Sequence, residues 1–183
     1  ADPSWAALDA DLFHALQDRP ARSVAALEQL DIWPGETRFH RLPVAGSRRR
    51  EDWAHEMIRS LAQAAAVFAD PDNGVSRPGV LSPKSATIGE IETLATGGRP
   101  VFLIRFPHRL CSHDQQLVDY HGWFDAFAPV TLRTCVRVPN RNGSTSPRIR
   151  WFTALNADVA TRERIAAFAT RLNSLRMATA TVA

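Results

Sequence analysis

The sequence has few cysteines, almost no lysine and no long hydrophobic run. Its 183 residues include two cysteines, Cys111 and Cys135, and a single lysine, Lys84. Because the cysteines are far apart and form no C-x-x-C pair, they predict reduced thiols rather than a zinc knuckle or a redox dithiol. No run of about 18 apolar residues is present, and the N-terminus lacks the layout of a signal peptide. We therefore expect a soluble, cytoplasmic protein that does not bind a membrane.

Charge and composition set only broad limits on function. The formal net charge is +3 and the pI is near 9.5, and nearly all the positive charge is arginine. Guanidinium groups suit phosphate and carboxylate ligands, but genomic base composition also enriches arginine, so the global charge is weak evidence for a nucleic-acid partner. The length and a hydrophobic fraction of 45% predict one α/β domain over residues 1–177, followed by a frayed tail at 178–183.

Segments with helical periodicity alternate with short apolar runs along the chain. The runs at 65–69 and 100–104 are continuous and bounded by proline or glycine, which is typical of parallel strands covered on both faces. Residues 130–138 and 148–155 alternate in polarity and predict an antiparallel hairpin. We therefore expect a mostly parallel sheet with helices on both faces and a C-terminal antiparallel hairpin, in which 65–69 and 100–104 are adjacent central strands.

An acidic loop, Asp-Pro-Asp-Asn-Gly at 70–74, follows the first of these apolar strands. Ligands of open parallel sheets bind beyond the carboxyl ends of the strands, where this loop would lie. The predicted catalytic residues are Asp70, Asp72, Asn73, Lys84 and Glu90. A Mg²⁺-dependent nuclease is one variant, because Asp70, Asp72 and Glu90 offer oxygen ligands. A plain turn, in which side chains of the loop cap backbone groups, explains the same residues equally well.

The stretch from residue 11 to 109 also resembles a known group. It carries Arg50 and Trp53, then Val-Phe-Ala-Asp-Pro-Asp-Asn-Gly at 67–74, Lys84, Glu90 and the strand end at 105–109. These features are similar to uncharacterised bacterial and phage proteins with a "FLDPDNGL" signature. Their layout resembles that of class I S-adenosylmethionine-dependent methyltransferases, in which a D-P-P-Y-like motif follows the fourth strand and a hairpin ends the sheet.

This resemblance implies a Rossmann-like, methyltransferase-like fold. S-adenosylmethionine would be the cofactor, with Asp70, Pro71 and Gly74 at its binding site. Asp72 replaces the second proline of the motif, and Asn73 replaces the aromatic residue that stacks on a flipped base. No glycine-rich loop precedes residue 11. The resemblance therefore implies the fold more strongly than the activity.

The terminal hairpin carries a second candidate site. Strict alternation places Arg133 and Arg137 on one side of their strand, and the partner strand can place Arg148 and Arg150 beside them. The four arginines predict a nucleic-acid contact surface of low sequence specificity, which leaves a non-catalytic nucleic-acid- or protein-binding module as the alternative function. A solvated sheet edge protected by charge explains the same residues. The nearby histidines and Cys111 match no zinc spacing, so we predict no metal site.

Overall fold

The computed structural model describes residues 3–18, 23–77, 79–108, 110–139, 144–176 and 178–183. In this part of the chain, three α-helices precede the first strand. Strands and helices then alternate up to a hairpin, which is followed by a helix and a last strand. The elements are α1 (Ala10–Asp18), α2 (Val24–Glu28), α3 (Arg50–Ser60), β1 (Val67–Ala69), α4 (Ile88–Ala95), β2 (Val101–Arg105), α5 (His113–Trp123), β3 (Val130–Pro139), β4 (Thr145–Leu155), α6 (Val159–Asn173) and β5 (Ala178–Val182). Short 3-10 helices add Pro3–Ala7, Ser47–Arg49, Thr96–Gly98 and Asp125–Phe127.

Local sequence explains where several helices begin. α4 starts at a capping box, in which the Thr87 side chain accepts from the Glu90 backbone and the Glu90 side chain accepts from the Thr87 backbone. Asp158 caps α6 by accepting from the backbone N–H of Thr161. Apolar residues at helical spacing predict helices near 51–64, 88–95, 114–127 and 158–175, and these correspond to α3, α4, α5 and α6. Residues 38–44, which are followed by Gly46 and Ser47, also predict a short strand, but the structure has none there.

The five strands of the described chain form one sheet in the order β1-β2-β4-β3-β5. Only β1 and β2 are parallel, and every other neighbouring pair is antiparallel. The expectation of a mostly parallel, Rossmann-like and methyltransferase-like sheet is therefore wrong. The sheet is mostly antiparallel because of where the β3–β4 hairpin lies. The hairpin forms as predicted, but β4 pairs with β2, so antiparallel strands occupy the centre of the sheet.

Two further expectations about the sheet need correction. β1 and β2 are adjacent and parallel as predicted, but β1 is a three-residue edge strand rather than a central one. The segment 178–183 was expected to be frayed, yet Ala178–Val182 is β5, paired with β3. Its small side chains gave little hydrophobic signal, but Ala178 and Ala180 are buried against the helix that precedes them.

The two faces of the sheet are covered to different extents. α4 and α5 cover the first face, and the core there includes Leu94, Leu103, Tyr120 and Phe124. On the second face α6 packs over β3 and β5, where it buries a smaller cluster. This cluster contains Leu132, Ala169, Leu172, Leu175, Ala178 and Ala180. The part of the second face formed by β1, β2 and β4 retains exposed aromatic side chains.

Candidate functional site

The acidic loop is held against the segment that precedes α4. The backbone N–H of Asn73 donates to the Lys84 carbonyl over 2.8 Å, and that of Gly74 donates to the Pro71 carbonyl over 2.8 Å. Val75 then forms a parallel bridge with Ala86. The loop is therefore an ordered turn, and its backbone lies against that of Lys84.

Gly74 has a structural requirement of its own. Its φ is +71°, a conformation that residues with a Cβ rarely adopt, and an added Cβ would lie 3.6 Å from Cγ of Arg105 and 3.7 Å from its Cα. This close approach lets the turn pack against the end of β2. The glycine expected at a cofactor site is thus explained by backbone geometry alone, and its role in cofactor binding stays a prediction.

Asp70 and Asp72 are both exposed and lie close enough to repel each other. Partial desolvation of the Asp70 carboxyl raises its pKa, the Asp72 carboxylate raises it further, and the positive charge of Arg150 acts in the opposite direction. Asp70 thus lies within electrostatic reach of β4, two strands away in the sheet. Lys84, Pro71 and both aspartates line the same groove along the free edge of β1.

Glu90 lines this groove too, but its carboxylate is occupied. Arg50 Nε donates to Oε1 over 2.6 Å and Arg50 Nη2 donates to Oε2 over 2.7 Å, while the Thr87 backbone N–H donates to Oε2 over 2.8 Å. Both side chains of this ion pair are more than nine-tenths buried. Arg50 Nη2 also donates to the Ser85 carbonyl. The carboxylate therefore ties α3 to the start of α4, which is a structural role.

The described residues bring no three His, Cys, Asp or Glu side chains together in a way that could hold a metal ion. The trio considered for Mg²⁺, Asp70, Asp72 and Glu90, is included in this result. Cys111 and Cys135 are free thiols. In the same part of the chain, no helix is long and apolar enough to cross a membrane.

The four hairpin arginines do not share a face. Arg133 pairs with Trp151 and Arg137 with Pro147, whereas Arg148 pairs with Val136 and Arg150 with Thr134. Directly opposed residues of an antiparallel pair lie on the same side, so the register places Arg133 and Arg137 on the first face and Arg148 and Arg150 on the second. The expectation that the four arginines form one surface is therefore wrong.

The register error has a sequence cause. In β4, both alternating sets contain apolar side chains: Ile149 and Trp151 in one, Phe152 and Ala154 in the other. The alternation alone could not show which set faces the main core. On the first face, Arg133 forms an ion pair with Asp114 over 2.7 Å, so one of its donors is already engaged.

Arg148 and Arg150 belong to a surface that the sequence analysis missed. We call it the open face. Its remaining members are aromatic or aliphatic side chains of β1, β2 and β4 and of the residue after β2: Phe68, Phe102, Ile104, Phe106 and Phe152. Phe68 is 62% exposed, and Phe106 and Phe152 are each more than one-third exposed.

The residues of the open face lie in adjacent rows across the strands. Phe68 pairs with Phe102, and Ile104 pairs with Phe152. In the next row, the Arg150 guanidinium lies 4.2 Å from the centre of the Phe106 ring, where a cation–π interaction is favourable. The sequence signal was the alternation of Phe102, Ile104 and Phe106. Val101 and Leu103, in the other alternating set, are apolar as well, and they hide the period.

Comparison with protein-family models, with curated proteins and with solved structures finds no match for this chain. The candidate function is therefore inferred from the chemistry of the described surfaces.

Proposed function

We propose that this protein is a non-catalytic module that binds single-stranded nucleic acid on its open face. The observation that supports the proposal is the arrangement of exposed phenylalanine rings next to two arginines on one side of the sheet. Every nucleobase has a flat π-face, so phenylalanine platforms stack on unpaired bases with little dependence on sequence. Arginine side chains beside such platforms contact the phosphates that link the bases.

The energetics of this surface suit a ligand that combines rings with negative charge. Stacking of a base on an aromatic side chain contributes about 1–3 kcal/mol per base. Arg148 lowers the pKa of Arg150, after the larger effect of burial, so the two guanidinium groups are near enough to repel each other. A phosphate between them would relieve that repulsion. A purely apolar protein partner would leave it unrelieved.

The other functions considered have less support. Methyl transfer was implied by the resemblance to methyltransferases, in which the D-P-P-Y-like motif follows the fourth strand of a parallel sheet. The acidic loop instead follows an edge strand of a mostly antiparallel sheet. The nuclease variant needs an available Glu90 carboxylate, and Arg50 occupies it. A cytoplasmic location, where single-stranded nucleic acid and reduced cysteines are both found, fits the binding proposal.

The test is fluorescence anisotropy with labelled single-stranded DNA and RNA of about ten nucleotides, a length in the range of known single-strand sites. Replacing both Arg148 and Arg150 by alanine should weaken binding. It should also reduce the slope of log affinity against log salt by about 1.4, since each phosphate contact contributes about 0.7 for single strands. The matched control replaces Arg133 and Arg137 on the opposite face, and should leave affinity nearly unchanged.

A second pair of variants tests stacking separately from charge. Phe68→Ala and Phe68→Leu both remove the ring from an exposed position, and the second retains apolar area. Both should weaken binding by about fivefold or more, the low end of the stacking contribution. Equal affinity of Phe68→Leu and the unmodified protein would show that stacking does not contribute. Absence of binding at low salt, or equal effects of the two arginine double variants, would refute the proposal.

A further inference from the structure

One corner of the open face combines a carboxylate with a guanidinium group. Asp70 directly follows β1, in which Val67 is buried and Phe68 is exposed, so the alternation puts Asp70 on the side of Phe68. Because Ala69 pairs with Leu103, the next position along places Asp70 beside Ile104, which itself pairs with Phe152. The acidic loop thus reaches the edge of the open face.

The charges at this corner are close but not bonded to each other. Each of Asp70 and Arg150 favours the ionised form of the other, which places them within electrostatic reach. Among the described residues, the Asp70 carboxylate accepts no hydrogen bond and forms no ion pair. Arg150 donates from Nη1 to the Ile149 carbonyl and retains other donors. An acceptor and a donor therefore flank Ile104 and Phe152, where a base could stack.

The chemistry of the four bases distinguishes among possible occupants. A carboxylate accepts two parallel hydrogen bonds from adjacent donors, and guanine alone presents adjacent N1–H and N2–H donors on its Watson–Crick edge. Guanine also presents O6 and N7 as acceptors for an arginine. Uracil presents one N–H between two carbonyl oxygens, and a carboxylate would be repelled by both oxygens. Adenine and cytosine each set an amino group beside a ring-nitrogen acceptor, so only one carboxylate oxygen can be satisfied.

We propose that Asp70 and Arg150 select guanine at one position of the single strand bound on the open face. This inference rests on the proposed function and adds a base preference to it. Stacking gives no such preference, because it depends on the π-face that all bases share. The aspartate of the acidic loop would then be a specificity residue rather than a catalytic one.

The experiment compares three short RNAs: oligouridine, the same strand with one central guanosine, and the same strand with inosine at that position. Inosine lacks the N2 amino group. We expect the guanosine strand to bind about tenfold more tightly than oligouridine, within the range for a good bidentate base contact. Inosine should lose most of that gain. A single guanosine avoids the quadruplexes that guanine runs form.

Asp70→Asn should abolish the preference by opposite effects on two ligands. It removes an acceptor for guanine and also a negative charge that repels the backbone, so guanosine binding should fall while oligouridine binding holds or rises. Asp72→Asn is the matched control, because it removes an equal charge two residues further along the loop. It should preserve the guanosine preference. Thermal unfolding of both variants checks that the loop remains folded.

The outcomes separate this inference from the proposed function. Binding of all three RNAs with equal affinity would overturn the guanine inference and leave single-strand binding intact. Equal loss of preference in Asp70→Asn and Asp72→Asn would overturn it as well, since net charge would then explain the effect. Failure of the protein to bind any of the three RNAs at low salt would refute the proposed function itself.

Discussion

The ion pair between Arg50 and Glu90 offers the sharpest test of what the groove residues do. Glu90→Gln keeps the size of the side chain and removes its charge, which leaves a guanidinium group that is 8% exposed without a counter-charge. Removal of one partner from a buried ion pair costs about 3–5 kcal/mol. A typical domain has a total stability of about 5–15 kcal/mol, so this loss is a large fraction of it.

The assay is thermal and denaturant unfolding, followed by circular dichroism. For a chain of this size, about 1 kcal/mol corresponds to a change of roughly 2–4 °C in Tm, so we expect a decrease of roughly 6–20 °C. The matched control is Glu56→Gln. Glu56 and Arg59 form an ion pair at similar distance, but their side chains are 48% and 74% exposed. Exposed pairs contribute about 0–1 kcal/mol, so Tm should change by a few degrees at most.

A double variant completes the argument. Replacing Arg50 by Met and Glu90 by Leu removes both charges, and the loss should be no greater than that of Glu90→Gln. The two changes should therefore be strongly non-additive. Equal stability of Glu90→Gln and Glu56→Gln would contradict a stabilising role for the buried ion pair. A loss of binding with full stability would instead assign Glu90 to a functional site.

Three further predictions concern the turn, the half-buried His121 and the last strand. Gly74→Ala should destabilise the protein by about 1 kcal/mol or more, because the positive φ strains any residue with a Cβ, and denaturant unfolding measures this loss. Partial burial lowers the pKa of His121, so the folded state favours the neutral imidazole. The free energy of unfolding is therefore full above about pH 6.5 and declines as the pH falls below that value. His121→Gln should reduce this acid sensitivity, whereas His55→Gln at an exposed position should not; identical pH profiles for all three proteins would contradict the assignment. Deletion of 178–183 should lower the denaturation midpoint, since β5 covers part of the second core, and an unchanged midpoint would mean that the strand contributes nothing.

The sequence alone determined the local elements with strong periodicity. The apolar positions of α3, α4 and α6 repeat at helical spacing, and the alternation of β3 and β4 specified a hairpin. Part of the candidate site followed from local chemistry as well. The Asn73-Gly74 dipeptide predicts a turn, and the structure has one there that lies against Lys84.

Only the tertiary structure decided the order of the strands and the side that each arginine occupies. Hydrophobic alternation gives the period of a strand but not its neighbour, and pairing with a distant strand depends on contacts between residues far apart in sequence. The run at 65–69 consists of three alanines, one valine and Phe68. Such a continuously apolar run is also typical of a buried central strand, so the sequence could not identify it as an edge strand. The alternation of β4 does not show which face Arg148 and Arg150 occupy, because both faces of β4 carry apolar residues. Their pairing with Val136 and Thr134 of β3 places both arginines on the second face.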